Sequence, residues 1–232
     1  MEPIQIRYLF RLPDENTREF TLRLHPEKLL LTGHLPETLP DWTRLDFEQC
    51  GHCPLPVEAE ARCPLAASLV GVIDLSREVL SHDEVEVIVI TSERAIRNRT
   101  TAQRGISAIM GLINATSGCP HTRFLKPMAR FHLPFATEEE TIYRAASMYL
   151  LAQYFRRLHG RGADLDLNGL AECYRNLQLV NQAMIQRVRS ASEKDSAANA
   201  LVLLDLFAKA MPYSIEDSLE EVRYLFSPYL EV

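Results

Sequence analysis

No stretch of this 232-residue sequence approaches the roughly 20 apolar residues needed to span a bilayer. The most apolar segments, 65–73 and 200–208, are far shorter and read as buried helices. The start, Met-Glu-Pro-Ile-Gln-Ile-Arg, lacks a basic flank followed by an apolar run, so a secretory signal is not expected. Internal repeats and low-complexity tracts are missing. So are the glycine patterns of a Walker loop or a dinucleotide fingerprint, an HExxH helix, a Ser-His-Asp order and an isolated acid pair. The common signatures of nucleotide and hydrolytic chemistry therefore have no support. An excess of positive charge is missing too. With a net charge of −6, general affinity for nucleic acid or for anionic membranes is not expected.

What is present is a composition that can fold. Hydrophobic residues make up 47% of the chain, enough for a substantial core in one large domain or two small ones. The five cysteines are odd in number and come with no export signal. They are expected to be reduced thiols in a cytoplasmic protein rather than a disulfide framework.

The first third reads as β structure. Ile4, Ile6, Tyr8, Phe10 and Leu12 alternate with other residues, as do Phe20, Leu22 and Leu24, and Pro13-Asp14-Glu15-Asn16 supplies turn chemistry between them. A short third strand is expected near 29–31. Residues 33–63 have little period, with Trp42, Leu45 and Phe47 as anchors. Pro64 opens a helix predicted to run to Leu80, and 85–90 reads as a strand buried on both faces despite Glu86.

From Thr100 the spacing turns helical. Ile106, Ile109, Met110 and Ile113 lie on one stripe that ends at Gly118. Thr137 and Glu140 form a capping-box pair for a helix to about His159. Leu170, Cys173, Leu177, Val180 and Met184 mark another helix. Ala198, Leu201, Val202 and Leu206 mark a further one, opened by Asp195 and predicted to stop before Pro212. Ser214 with Asp217 would then open a short last helix carrying Leu219, Val222 and Phe226. Asp164 and Asp166 read as turn and cap residues.

Cysteine placement is the most informative feature. Cys50-Gly51-His52-Cys53 lets two sulfurs reach one metal at about 2.3 Å from a tight turn. Cys63 follows, and Cys119 comes much later in Gly118-Cys119-Pro120-His121. Pro54, Pro64 and Pro120 each follow a cysteine, which disfavours the helical region there and places those thiols at element boundaries. Cys63 falls at a helix N-cap, where the dipole favours a thiolate. A four-cysteine metal site from Cys50, Cys53, Cys63 and Cys119 is the leading assignment, with His121 or His52 as alternate ligands. Zinc needs no special environment, and an iron–sulfur cluster fits four thiolates equally well. The competing reading is that these cysteines are small apolar residues; for Cys173, on an apolar helix stripe, that reading is preferred.

A second cluster is basic. Arg94, Arg97, Arg99 and Arg104 crowd 92–105, read as a polar loop between a strand and a helix N-terminus, a place where anions bind. Lys126, Arg130 and His132 are candidates to join Arg104 in a pocket near the cysteines. The alternatives are a solvated basic loop and pairing with Glu138, Glu139 and Glu140.

The stretch 116–135, Thr-Ser-Gly-Cys-Pro-His-Thr-Arg-Phe-Leu-Lys-Pro-Met-Ala-Arg-Phe-His-Leu-Pro-Phe, is followed by Glu140-Thr-Ile-Tyr-Arg144 and Ser147-Met-Tyr-Leu-Leu-Ala-Gln-Tyr154. Together with the cysteine segment 50–63 it resembles a bacterial family of uncharacterised proteins, a domain of unknown function. The resemblance implies a bacterial cytosolic origin and no reaction.

The expected fold is therefore α+β. A small antiparallel sheet with a cysteine-rich metal-binding segment occupies 1–92, and an all-helical bundle occupies 93–232, the two forming one compact unit joined by the metal site. The expected role is that of a metal-binding protein with a structural zinc and an unidentified protein partner. The alternatives are an iron–sulfur redox or sensor protein, an enzyme or binder of a small anion, and a helical interaction module with inert cysteines.

Overall fold

The computed structural model describes residues 2–33, 35–191 and 195–230, without the side chains at 207 and 210–218. Ile4–Arg11 (β1) and Thr17–Leu24 (β2) form the expected hairpin. Its register sets Tyr8 opposite Phe20 and Ile6 opposite Leu22, so the alternating apolar residues share one face. The turn closes with Leu12 N–H donating to the Asn16 carbonyl at 2.8 Å. Leu31–Thr32 (β3) adds a short edge. Glu84–Ile90 (β4) pairs with the other side of β1, and Ala95–Thr101 (β5) pairs with β4. All pairings are antiparallel, in the order β3-β2-β1-β4-β5.

Strand β5 corrects the sequence reading. A polar loop at 92–105 and a helical region from 93 were expected, but the sheet runs across that point and helix begins only at Ala102. Ile96, Asn98 and Thr100 are half-buried, while Arg97 and Arg99 alternate outward. With Ile96 the lone large apolar residue on the covered side, the hydrophobic period is too weak to read. Pairing with β4 makes the strand, and the charges suit an edge position. On β4, Val85, Val87 and Val89 are buried on the inner face. The outer face is not the apolar surface expected, because Glu86 sits there among arginines.

Pro64–Ser76 (α1) and Ala102–Thr116 (α2) cover the inner face of the sheet. Helix α1 stops short of the predicted Leu80, although Val79 stays buried. At Gly105 α2 comes so close to the sheet that a β-carbon would lie 2.9 Å from Val87 Cγ2 and 3.0 Å from Phe10 Cε1. Only glycine permits that approach.

Lys126–Arg130 (α3), Glu138–Leu158 (α4), Asn168–Ala191 (α5), Ser196–Glu221 (α6) and Ser227–Leu230 (α7) follow. The capping box at Thr137 is formed: its side chain accepts from Glu140 N–H at 3.1 Å, and the Glu140 carboxylate accepts from Thr137 N–H at 2.7 Å. Helix α6 does not stop before Pro212 but continues to Glu221. A proline inside a helix costs about 3 kcal/mol, which the packing of α6 on α5, α2 and α4 outweighs. The last short helix therefore starts at Ser227 rather than at Ser214; the side chains of Ser214 and Asp217 lie outside the described residues. Among the described residues no helix is long and apolar enough to cross a membrane.

The fold is α+β, but the helices are not a separate bundle. One core joins Tyr8, Phe10 and Val87 of the sheet to Ile109 of α2, Val180 and Val188 of α5, and Leu201 of α6. A smaller core lies between α4, α5 and α6 around Ile142, Leu170, Tyr174 and Ala208.

The irregular segment between β3 and α1 is held from below by Arg187 of α5. This side chain is 1% exposed. Its Nη1 donates to the carbonyls of Trp42 at 2.8 Å and Arg44 at 2.6 Å, and its Nη2 donates to that of Leu45 at 3.1 Å. The guanidinium also lies 6.0 Å from the Phe47 ring centroid. Arg187→Met would leave the Trp42 and Leu45 carbonyls without their donor and the Arg44 carbonyl with only the Phe47 N–H, each orphan costing about 1–3 kcal/mol. The expected result in urea denaturation is a loss of about 3 kcal/mol or more. Arg187→Lys should recover little, since one ammonium cannot reproduce a planar fork.

Candidate functional site

Three separated stretches carry the four candidate cysteines, and the fold brings these stretches together. Cys50 and Cys53 flank a tight turn closed by Cys53 N–H donating to the Cys50 carbonyl at 2.9 Å. Cys63 is the N-cap of α1 in an extended conformation, as the following proline requires, and its N–H donates to the Thr43 carbonyl at 2.8 Å. Cys119 follows the end of α2 and Gly118, whose φ of +93° an L side chain would resist. At that glycine the backbone runs against the helix start: a β-carbon there would stand 4.0 Å from Pro64 Cβ. From the other side, His121 Nε2 donates to the His52 carbonyl at 2.9 Å.

Electrostatics agree with this convergence. Burial, reinforced by like charge on Cys63, Cys119 and Cys53, pushes the Cys50 thiol up to about 12. Burial also raises the Cys119 thiol, but the backbone N–H groups of His121 and Thr122 oppose the shift by favouring its thiolate. Cys50, Cys63 and Cys119 pack against the main core. As the side chains stand, no group of three or more His, Cys, Asp or Glu residues among those described is arranged to hold a metal ion.

The two histidines stack, with ring centroids 3.9 Å apart. His52 Nε2 lies 3.1 Å from the Asn176 carbonyl. A carbonyl only accepts, so His52 and His121 each carry a proton on Nε2, and in neutral His52 Nδ1 keeps a bare lone pair. For His52 that nitrogen is buried without a hydrogen-bond partner. Burial, then the neighbouring His121, lowers the His52 pKa. A neutral imidazole that anchors its far nitrogen on a backbone carbonyl is the form metals bind. Cys173 is half-buried on α5.

The basic residues do not converge as the sequence suggested. Arg97 donates to Glu86 Oε1 at 2.6 Å, Arg11 to Oε2 at 2.7 Å, and Arg99 stands 3.7 Å away. The hydrogen bond from Arg97, more than any other contact, holds the Glu86 carboxyl below its usual range. These arginines lie on the outer sheet face, where they answer a carboxylate of the protein itself. Arg94 is exposed in the β4–β5 turn. Lys126 Nζ donates to the Lys28 carbonyl at 2.8 Å, and Arg130 lies over Phe131.

Arg104 and His132 do meet, in a cavity of about 390 Å³ that none of the four cysteines lines. Arg144, which sequence reasoning missed, joins them there. Its Nη2 donates to the carbonyls of Met128 at 3.1 Å and Phe131 at 2.9 Å, and burial lowers its pKa. His132 Nε2 bonds the Tyr8 hydroxyl, which also reaches the Ala108 carbonyl at 3.2 Å. When Tyr8 gives its proton to that carbonyl, His132 donates to Tyr8 and its remaining nitrogen is unprotonated. Leu112, Met128, Phe135 and Leu177 supply apolar walls. The signal for Arg144 was its i+4 spacing from Glu140 inside a capped helix. Nothing local marked it as inward-facing.

Burial, then the Arg144 charge, lowers the His132 pKa from 6.5 to about 4. Between those two values the unfolded chain binds a proton that the folded chain refuses, so stability falls as pH drops. His52 acts in the same direction. Equilibrium unfolding is expected to show level stability between about pH 7 and 8, a decline that sets in below about 6.5, and a separate decline in the alkaline range where the thiols raised by burial ionise in the unfolded chain. His132→Gln should remove most of one proton from that slope between pH 6.5 and 5; an unchanged slope would place the titration elsewhere.

A family model described as a domain of unknown function, DUF6901, matches residues 6–227, and the chain belongs to that family. No curated protein and no solved structure matches it.

Proposed function

We propose that this member of the DUF6901 family carries one metal ion on Cys50, Cys53, Cys63 and Cys119, with His52 and His121 as alternate ligands. One observation carries this reading: three stretches distant in sequence meet, through the His121–His52 carbonyl bond and the Gly118–Pro64 approach. Four thiols brought to one place would resist ionising together, and a cation would remove that resistance. The amides after Cys119 point the same way, since hydrogen bonds to sulfur favour the thiolate. Closing the shell requires the thiols to turn from their packing against the core toward one another. Zinc is the ion this donor set suits without further demands, and its role is structural. It ties the segment held by Arg187 to the starts of α1 and of the 119–121 turn. An iron–sulfur cluster on the same four cysteines is the other form of this reading.

The test is metal and acid-labile sulfide per chain in protein purified without oxygen and without a metal-binding tag. About one zinc and no sulfide is expected. Cys119→Ser should lower the metal content severalfold and loosen residues 44–63 in hydrogen exchange. Iron with sulfide replaces zinc by a cluster. A metal-free protein with all five thiols freely titratable overturns the reading.

A second reading rests on the cavity. Arg104 makes no ion pair among the described residues, and with Arg144 it brings two guanidinium groups to an apolar pocket that Glu138 also lines. The ligand this favours is a small carboxylate with an apolar body. Isothermal titration with medium-chain carboxylates should show binding that Arg104→Ala weakens about tenfold, the loss of one charged hydrogen bond. Binding indifferent to Arg104 would discard the pocket.

A further inference from the structure

Helix α4 is apolar on two opposite sides. Ile142, Ala145, Ala146 and Gln153 face inward and are buried. On the other side Tyr143, Leu150, Leu151, Tyr154, Phe155 and Leu158 are 38–62% exposed. Spacings of three, four, seven and eight residues put most of these on one stripe, about 22 Å long from Tyr143 to Leu158. Single exposed leucines are ordinary, but six large apolar side chains in a row on one helix are not. Their exposed parts come to on the order of 600 Å², against roughly 800 Å² per partner in a standard interface. Phe226, its ring 6.3 Å from that of Tyr143, continues the surface beyond the helix.

Charge indicates what covers the stripe. The first turn holds Glu138, Glu139 and Glu140, and the last turn holds Arg156 and Arg157. Glu140 is engaged in the capping box and Arg156 Nε donates to the Gly162 carbonyl at 3.1 Å. Glu138 lines the cavity on another side of the helix, which leaves Glu139 and Arg157, each within one turn of the apolar stripe. A helix acidic at one end and basic at the other complements a copy of itself laid antiparallel, and repels one laid parallel.

We propose that a second copy of this chain docks on this face, α4 against α4 and antiparallel about a two-fold axis near Ser147–Leu150. The small side chain of Ser147 lets the helices approach where they cross. Tyr143 of each copy meets Tyr154 of the other, and Glu139 of each meets Arg157 of the other. The contact is isologous, so it closes at two copies.

Sedimentation equilibrium of the full chain tests this. The expected result is a dimer. Glu139→Arg alone and Arg157→Glu alone should each raise the dissociation constant about tenfold or more, and the chain carrying both should return to near the original value, since each copy then offers reversed but complementary ends. Leu151→Glu should give a monomer with an unchanged circular dichroism spectrum. A monomer at every concentration overturns the proposal, whether the face then proves to bind vesicles or a different protein. So does a dimer that ignores these substitutions.

Discussion

Arg187 holds a full positive charge inside the protein, and backbone carbonyls, not a carboxylate, satisfy it. A buried charge of this kind needs partners for its donors, and here both Nη atoms find them in one short run of irregular chain, residues 42–45, while Nε has none among the described residues. The consequence reaches well beyond the contact. Trp42 and Leu45 are buried beside α5, and the strand-like bridge between Arg44 and Arg62 fixes the return of the loop. Thr43 then receives Cys63 at the start of α1. The cysteine segment, which has no periodic structure of its own, takes its path from a side chain more than a hundred residues away.

The sheet and α2 supply the other fixed frame. With glycine at 105, α2 lies close against Phe10 and Val87, and its far end then falls where Gly118 turns the chain past Pro64. Tyr8 extends from the same sheet face to Ala108 and His132. One rigid layer thus sets both the position of Cys119 and one wall of the cavity. The two candidate sites are neighbours of a common scaffold without sharing a lining residue among the cysteines.

Their chemistry differs in kind. At the cysteines, thiols raised by burial stand beside two stacked imidazoles, and the proposed cation rests on that donor set. In the cavity, burial and the Arg144 charge keep His132 neutral, and the proposed carboxylate ligand rests on Arg104 and Arg144 standing against apolar walls. The outer sheet face, where most of the basic residues on β5 reside, does neither, because Glu86 already answers them.

The hairpin, the first helix, the capping box at Thr137 and the apolar stripes of α2 and α5 were legible in the sequence, since each rests on local chemistry: a period of two or 3.6, a turn, a cap, a proline. The tight turn between Cys50 and Cys53 and the extended backbone at Cys63 were legible for the same reason. Strand β5 was not, because its partner strand makes it and its own period is weak. Continuation of α6 through Pro212 was hidden too, as tertiary packing outweighs a local cost that the sequence states plainly. Nothing local marked Arg187 or Arg144 as inward-facing, and the fold decided which way their helices face. What the sequence alone determined is therefore those elements that rest on local chemistry and the presence of ligand-type residues. Only the tertiary structure decided which charges are spent within the protein and which remain for a ligand, because a charge's partners are set by distance in space, which residue spacing along the chain does not contain.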